Sequence, residues 1–457
     1  MDGERTRIED ETPGLGDELD ACVQRLLGEV SSAADYWDFR RDARRDGLHG
    51  LTQYPAMMVP AMQGQLIDIL CETLGDKPKV LDPFVGSGTT LVEAMRRGLS
   101  FTGQDINPLA VLISKTKVGP FAVDPLEASI TRVVSVARAD RRRKLDVAFP
   151  GLTKWFTPRV AVGLARLRRA IQAEEDLWIR RVLWVVLAET VRLTSNSRTS
   201  TFKLHIRPTA ELEQRMPEAV AQFAEAANLA LRSIRDELTK REVGGVVGGD
   251  AYPHAVNIHL GHTAKGLPGE DTFDLVVTSP PYGDGRTTVP YGQYSYLPLQ
   301  WLDLADVDER AAAFSPTATH GMDTASLGGS CKHAGARVAP ATARSPRLRS
   351  FLAELEVFPG EYRRRVASFF ADLDSGLETI VPRVRAGGYM VWTVGNRRVA
   401  DVIQPLDVIL EELLRARGCA TVHRLVRVIP NKRMATRNAI SATMKQEHVL
   451  ILRKGGA

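Results

Sequence analysis

One short stretch of the sequence predicts a strand, a glycine turn and a helix in immediate succession. Residues 80–84 are typical of a short buried strand. The turn Gly86-Ser87-Gly88 supplies residues that tolerate positive φ and let a ligand approach the backbone. Thr89 or Thr90 can then cap a helix over residues 91–97. Free N–H groups and the helix dipole would point at the turn, which predicts a nucleotide-binding element, with a plain tight turn as the alternative.

A second predicted strand ends in an acid. Residues 100–106 predict a strand that carries Asp105 near its end, roughly 20 residues after the glycine turn. At this spacing a carboxylate can accept hydrogen bonds from ribose hydroxyls, and Ile106 can flank an adenine ring. Asp105 could instead cap a helix. Asp82, in the first predicted strand, could likewise lie in a buried turn and contact no ligand.

A rigid corner follows another predicted strand far downstream. Residues 273–278 predict a buried strand, and Ser279-Pro280-Pro281-Tyr282 comes directly after it. Proline has a fixed φ and no N–H, so the corner holds the Pro280 carbonyl in place. A stiffened turn with a buried tyrosine is the structural alternative. In a doubly wound sheet, ligands bind at the carboxyl ends of strands, so we expect Gly86 and Ser279 at neighbouring edges of one sheet.

Two strings together resemble the motifs of amino-methyltransferases, which use S-adenosylmethionine to methylate exocyclic amines of DNA bases. They are Asp82-Pro83-Phe84-Val85-Gly86-Ser87-Gly88-Thr89-Thr90 and Ser279-Pro280-Pro281-Tyr282. The resemblance implies an α/β, class I (Rossmann-like) methyltransferase fold, with a seven-stranded, mostly parallel sheet and a helical insertion. The strands that we predict along the chain, the last of them antiparallel, suit this fold.

The resemblance also implies the residues of the site. It assigns binding of S-adenosylmethionine, without a metal, to Tyr54, Asp82, Phe84, Gly86, Ser87, Gly88, Thr89, Asp105, Ile106 and His262. It assigns catalysis to Ser279, Pro280, Pro281 and Tyr282. His262 stands where the family often has an acid, and Gly249-Asp250-Ala251 occurs earlier, so either Asp250 or His262 takes that place.

The serine-proline corner suits the methylation of a weak nucleophile. The lone pair of an exocyclic amine is delocalised into the base, so acceptors must draw its N–H bonds and align the nitrogen with the methyl donor. The resemblance gives the accepting roles to the Ser279 oxygen and the Pro280 carbonyl. It gives Tyr282 the stacking of a base that is flipped out of the duplex.

The target base stays open at this point. Serine before Pro-Pro-Tyr favours the N4 amine of cytosine, whereas asparagine or aspartate is the common version for adenine N6. A tRNA or rRNA base N-methyltransferase could share both motifs, and a binding module without activity could keep the fold. The intact motif residues argue against the binding module. We predict a site-specific cytosine-N4 methyltransferase of duplex DNA, with a companion restriction endonuclease as a further candidate partner.

Composition divides the chain into four regions. They are an N-terminal helical extension (1–50), the cofactor-binding half of the methyltransferase domain (51–123), a helical insertion that is the candidate target-recognition region (124–245), and the catalytic half (246–457). Within the last region, a bias toward Ser, Thr, Gly, Ala and Arg predicts a flexible loop at about 313–350.

Two polar, basic stretches predict contacts with nucleic acid. Their candidate residues are Arg198, Lys203 and His205 in the insertion and Lys432 and Arg433 near the end of the chain. Such side chains contact phosphates and base edges. A plain polar loop is the alternative for the first stretch.

Charge and cysteine usage narrow the class of protein. The 60 Lys and Arg against 55 Asp and Glu give a net charge of +5, which a solvated surface explains as well as a nucleic-acid partner does. The four cysteines are far apart and the nine histidines lack ligand spacing, which argues against a zinc site or a disulfide framework. The acidic start is unlike a secretory signal, and no apolar run approaches the roughly 20 residues of a membrane span, so we expect a cytoplasmic protein without a membrane partner.

Overall fold

The structure is a computed structural model that describes residues 15–31, 35–39, 46–75, 77–243, 245, 251–284, 288–314, 318–429 and 445–456. The strands in these ranges are β1 (Val80–Asp82), β2 (Phe101–Asp105), β3 (Val256–Leu260), β4 (Phe273–Thr278), β5 (Val384–Val394), β6 (Arg398–Val399), β7 (Val402–Ile403), β8 (Cys419–Val428) and β9 (Gln446–Lys454). The short strands β6 and β7 pair only with each other.

The other seven strands form one sheet in the order β3-β2-β1-β4-β5-β9-β8. Strands β1 to β5 pair in parallel, whereas β9 is antiparallel to both β5 and β8. This doubly wound, mostly parallel sheet confirms the predicted class I, Rossmann-like fold. The prediction of an antiparallel last strand is also confirmed.

Helices cover both faces of the sheet. They are α1 (Leu15–Val30), α2 (Pro60–Leu74), α3 (Thr89–Arg96), α4 (Pro108–Thr116), α5 (Val123–Ala139), α6 (Leu152–Trp155), α7 (Pro158–Gln172), α8 (Leu177–Thr194), α9 (Thr209–Gln214), α10 (Ala219–Val243), α11 (Tyr291–Trp301), α12 (Gly321–Ala325), α13 (Ala334–Arg337), α14 (Ala339–Arg344), α15 (Pro346–Glu354), α16 (Gly360–Ile380) and α17 (Leu406–Arg415). Helices α5 to α10 fill the stretch between β2 and β3, where the sequence predicts a helical insertion.

Alternate residues of the central strands face two hydrophobic cores. Leu275 and Val277 of β4 pack with the core that extends into the helical insertion. Val276, between them, packs with the core under α13 to α17, together with Trp392 of β5. Because side chains alternate along a strand, a strand that is buried on both faces carries consecutive apolar residues, as β4 does at Leu275, Val276 and Val277.

The helix after the glycine turn begins two residues earlier than predicted. Gly88 occupies the N-cap position with φ +78°, and α3 starts at Thr89. The expectation that Thr89 or Thr90 caps this helix is therefore wrong. A left-handed residue, which glycine adopts without a steric cost, turns the chain directly into the helix, and the Thr90 hydroxyl donates instead to the Val277 carbonyl at 3.2 Å.

The predicted flexible loop at about 313–350 contains helices over its described residues. Helices α12, α13, α14 and the start of α15 lie there. Ala334, Val338 and Ala341 recur at helical spacing and pack into the second core. The compositional bias of this segment hid that periodicity, which is why the loop was predicted.

Candidate active site

The carboxyl ends of β1 and β4 meet at a cleft. The two strands are neighbours in the sheet, at the point where the strand order reverses and doubly wound folds bind ligands. Of the predicted site residues, the following line the cleft: Tyr54, Phe84, Gly86, Ser87, Thr89, Asp105, Ile106, His262, Ser279 and Pro281. Asp82, Gly88, Pro280 and Tyr282 do not line it.

Asp105 is held at the cleft by two backbone donors. The Gly86 N–H donates to Oδ2 at 2.9 Å, and the Asn107 N–H donates to Oδ1 at 2.8 Å. Burial nevertheless raises the pKa of Asp105 to about 6. Each carboxylate oxygen has more than one lone pair, so both can still accept a hydrogen bond from a ligand.

The glycine turn is anchored from α4 and from the residue after it. Gly86 and Gly88 have φ values of +50° and +78°, so a side chain at either position would be strained. The buried Lys117 ammonium donates to the Ser87 carbonyl at 2.6 Å, and the Ser114 hydroxyl donates to the Gly86 carbonyl at 3.0 Å. These bonds fix the carbonyls of the turn. Neither donor was predicted, because nothing near Lys117 or Ser114 in the sequence indicates this contact.

Asp82 lies beneath the cleft and links the two motifs. Its Oδ1 accepts a 2.6 Å hydrogen bond from the Thr278 hydroxyl and a 3.1 Å bond from the Phe84 N–H. Burial raises the pKa of Asp82 to about 6. Its side chain therefore supports the residues that face the cleft.

Aromatic side chains form one wall of the site. Tyr54 is buried and stacks on Tyr291, with ring centroids 5.9 Å apart, and contacts Tyr294 edge to face. Its hydroxyl accepts from the Asn107 amide at 3.1 Å, while Asn107 also caps α4. The sequence analysis missed Asn107 and Tyr291. The cap position before Pro108 and the run of tyrosines at the start of α11 are the signals that could have found them.

His262 follows β3 and lines the cleft, whereas Asp250 lies outside the described residues. The Nδ1 atom of His262 accepts from the Ala264 N–H at 3.1 Å. Burial lowers the pKa of this histidine, so the neutral ring predominates near pH 7.

A short helix that the sequence analysis missed borders the cleft. Met322 and Asp323 of α12, followed by Ser326 and Leu327, line it. Asp323 accepts from the Gly292 N–H at 2.7 Å, which joins α12 to the start of α11. The sequence offered no signal for these residues beyond the mixed composition of the segment.

The serine-proline corner after β4 carries a chain of hydrogen bonds. The half-buried Ser279 hydroxyl donates to the Tyr282 oxygen at 3.3 Å, and Tyr282 donates to Oε1 of Glu447 at 3.2 Å. Burial and the Glu447 carboxylate raise the pKa of Tyr282 well above its usual value. Pro280 is buried behind the cleft, and Pro281 faces it.

The predicted nucleic-acid residues of the insertion lie on an exposed hairpin over residues 196–207. The Arg198 N–H donates to the His205 carbonyl at 2.8 Å, and the side chains of Arg198, Lys203 and His205 are exposed. The hairpin packs on α11 through Phe202, whose ring lies 5.8 Å from that of Tyr294. It therefore sits beside the aromatic wall of the cleft. Lys432 and Arg433 lie outside the described residues.

Comparison with known proteins identifies the family. The type II methyltransferase M.MvaI of Kocuria varians is 30% identical over 466 residues, which cover 96% of this chain and 98% of that protein. This chain belongs to the DNA amino-methyltransferases. A family model for N6 and N4 methyltransferases, described as DNA methylase, matches residues 25–116 of the enzyme.

Two further similarities to this methyltransferase are weaker. The type II methyltransferase M.MjaII of Methanocaldococcus jannaschii is 32% identical over 99 residues, or 20% of this chain and 18% of that protein. The solved rRNA methyltransferase AviRa of Streptomyces viridochromogenes matches over 91% of this chain and 96% of that chain, with 11% identity and a TM-score of 0.31. A score of that size supports no conclusion about the methyltransferase.

In the part of the methyltransferase that the structure describes, no group of three or more His, Cys, Asp and Glu side chains could hold a metal ion. In the same ranges, no helix is both long enough and apolar enough to cross a membrane.

Proposed function

We propose that this methyltransferase transfers a methyl group from S-adenosylmethionine to the exocyclic N4 amine of cytosine in duplex DNA. The observation that carries the proposal is that Gly86, Asp105 and Ser279 line one cleft. The elements that would hold a cofactor and those that would orient an amine thus lie across a single space.

The residues of the cleft fit S-adenosylmethionine. The cleft combines an apolar and aromatic lining with the polar groups of Asp105, Ser87 and Ser279, as sites for small molecules do. Asp105 would accept from the ribose hydroxyls, while Ile106 and His262 would flank the adenine ring. Phe84 and the glycine turn, with Ser87 and Thr89, would border the rest of the molecule, beside Tyr54. When bound, S-adenosylmethionine supplies the methyl group as an electrophile.

The residues at the end of β4 would orient the amine. The Ser279 oxygen and the Pro280 carbonyl would accept its two N–H bonds, which directs the nitrogen lone pair toward the methyl donor. Tyr282 would offer a ring face to the flipped base.

Serine at position 279 favours cytosine N4 over adenine N6, because asparagine or aspartate is the common residue before Pro-Pro-Tyr in the adenine enzymes that the motif resembles. The adenine-N6 reaction is the alternative within the same family, and a tRNA or rRNA base is the alternative substrate outside it.

The exposed hairpin would contact DNA beside the cleft. Arg198, Lys203 and His205 offer a cationic, hydrogen-bonding surface at the mouth of the site. Lys432 and Arg433 stay candidates for phosphate contacts. A companion restriction endonuclease and a cytoplasmic location also stay predictions.

The test is to express the protein in cells that lack DNA methylation and to quantify modified nucleosides by mass spectrometry. We expect N4-methylcytosine in DNA from cells with the wild-type protein and much less of it with Ser279→Ala. N6-methyladenine would establish the alternative target base. Methylation found only in tRNA or rRNA would overturn the proposal.

A further inference from the structure

A hydrogen-bonded chain leads from the cleft to the antiparallel edge of the sheet. Ser279 donates to Tyr282 at 3.3 Å, and Tyr282 donates to Glu447 on β9 at 3.2 Å. The second oxygen of Glu447 accepts from Arg427 on β8 at 2.5 Å. Each hydroxyl in this series donates away from the cleft, and the series ends at the Glu447 carboxylate.

Methylation of an amine releases a proton, and this chain offers it an acceptor. On the basis of the proposed function, we propose that Glu447 is the final acceptor of the proton that the target amine loses, with Tyr282 and Ser279 as the relay. Glu447 does not reach the base itself. It is a positioning residue that acts through Tyr282.

The step balances in atoms and electrons. A bond forms between the amine nitrogen and the methyl carbon, and the carbon–sulfur bond breaks with its electron pair going to sulfur. The amine N–H proton passes to the Ser279 oxygen, the Ser279 proton to the Tyr282 oxygen, and the Tyr282 proton to the Glu447 carboxylate. The sulfonium becomes a neutral thioether, and the carboxylate becomes a carboxylic acid that returns its proton to solvent.

The surroundings of Glu447 suit that role. Its side chain is 18% exposed, so it can exchange protons with water. Arg427, the cation that faces it, is itself held by the Asp38 carbonyl. The adjacent His448 pairs with Asp407 on α17 at 3.2 Å.

The two acids nearest the glycine turn, Asp82 and Asp105, accept hydrogen bonds from groups other than Ser279 and Tyr282. Asp82 accepts from Thr278 and does not line the cleft. Asp105 is bound to the N–H groups of Gly86 and Asn107. Neither has a hydrogen-bonded path to Ser279 among the contacts described above, whereas Glu447 has one.

The experiment measures single-turnover methyl transfer to a duplex oligonucleotide, at saturating S-adenosylmethionine, from about pH 5 to 9. We expect Glu447→Gln and Tyr282→Phe each to lower the rate at least ~10-fold near neutral pH, because the loss of a positioned proton acceptor lowers a rate by that factor or more. The double variant should be no slower than the slower single one, because both break one chain.

Glu411→Gln is the matched control, since Glu411 is a buried acid that pairs with Arg424 of β8 and does not contact Tyr282. It should keep the wild-type rate. Tyr282→Phe leaves the pair of Arg427 and Glu447 intact, so it tests the relay even if Glu447→Gln unfolds.

Two readouts separate proton transfer from structure. Cofactor affinity by titration, and base flipping by the fluorescence of a cytosine analogue at the target position, should match wild type in both variants. Wild-type rates in both variants, or losses of binding and flipping that parallel the loss of rate, would overturn the relay. A wild-type enzyme that methylates no DNA would instead overturn the proposed function, and the relay with it.

Discussion

Thr278 donates a 2.6 Å hydrogen bond to Asp82 although 196 positions separate them in the chain. Both side chains are fully buried, at the carboxyl ends of β4 and β1. Phe84 lies two residues beyond Asp82, and Ser279 comes directly after Thr278. This bond therefore fixes the distance between the cofactor motif and the catalytic motif.

The first prediction concerns the charge on Asp82. Burial raises its pKa from 3.8 to about 6, so the folded state binds the proton more tightly than the unfolded state does. The protonated Asp82 carboxyl therefore contributes to the free energy of unfolding below pH 3.8, and this contribution is lost as the pH rises through about 6. Because asparagine cannot ionise, we expect the free energy of unfolding of Asp82→Asn, relative to wild type, to rise by about 2 kcal/mol between pH 4.5 and 8. Urea unfolding at the two pH values checks this, and an equal difference at both would contradict it.

The second prediction concerns Asp105 and the cofactor. Hydrogen bonds to a charged acceptor contribute about 1.5–3 kcal/mol each, so Asp105→Ala should weaken S-adenosylmethionine binding roughly 100-fold. In the wild type, affinity should fall as the pH drops through about 6, because the protonated carboxyl is a weaker acceptor. Isothermal titration of both proteins across this range checks the prediction. Asp271→Ala, at an exposed site before β4, is the control. Wild-type affinity in the Asp105→Ala variant would show that Asp105 only supports the turn.

The third prediction separates chemistry from binding. Ser279→Ala removes an oxygen that would orient the amine, so turnover should fall roughly 100- to 1000-fold, the usual effect of losing one positioned polar group. Cofactor affinity should stay within about twofold of wild type, since Ser279 lies at the end of β4 and away from the glycine turn. Steady-state methylation of duplex DNA and a cofactor titration measure the two effects. Ser350→Ala, on the exposed side of α15, should change neither. Equal losses in both measurements would count against the assigned role.

The fourth prediction concerns the exposed hairpin. Each phosphate contact adds about 0.9 to the slope of log affinity against log salt concentration, because bound counterions are released. We expect Arg198→Gln with Lys203→Gln to reduce that slope by about 1.8 and to weaken DNA binding, while cofactor affinity is kept. Fluorescence anisotropy at several salt concentrations measures the slope. The control is Arg235→Gln on α10, an exposed arginine paired with Glu127. An unchanged slope in the double variant would exclude the hairpin from the phosphate contacts.

Much of the fold could be predicted because its signals are local. The apolar run at 273–278 and the glycine turn after β1 show strand and turn by themselves. The strands that were predicted at residues 80–84, 100–106 and 273–278 lie at or within those bounds. Short helices such as α13 were not, because their apolar residues are small and sparse.

The residues that support the cleft were harder to predict. Lys117 reaches the Ser87 carbonyl from beyond α4, and Tyr291 meets Tyr54 from another part of the chain. No pattern around either residue indicates its partner. The contact of Tyr282 with Glu447, 165 residues away, is of the same kind.

The sequence by itself determined the elements and the chemistry available at their ends. Glycine at 86 and 88 permits the left-handed turn, and proline after Ser279 stiffens the corner, because backbone conformation depends on a residue and its immediate neighbours. Only the tertiary structure decided that β1 lies beside β4, that α12 borders the cleft and that Glu447 stands behind Tyr282. Strand order follows from many weak packing contacts between distant segments, and no short window of sequence contains both sides of such a contact.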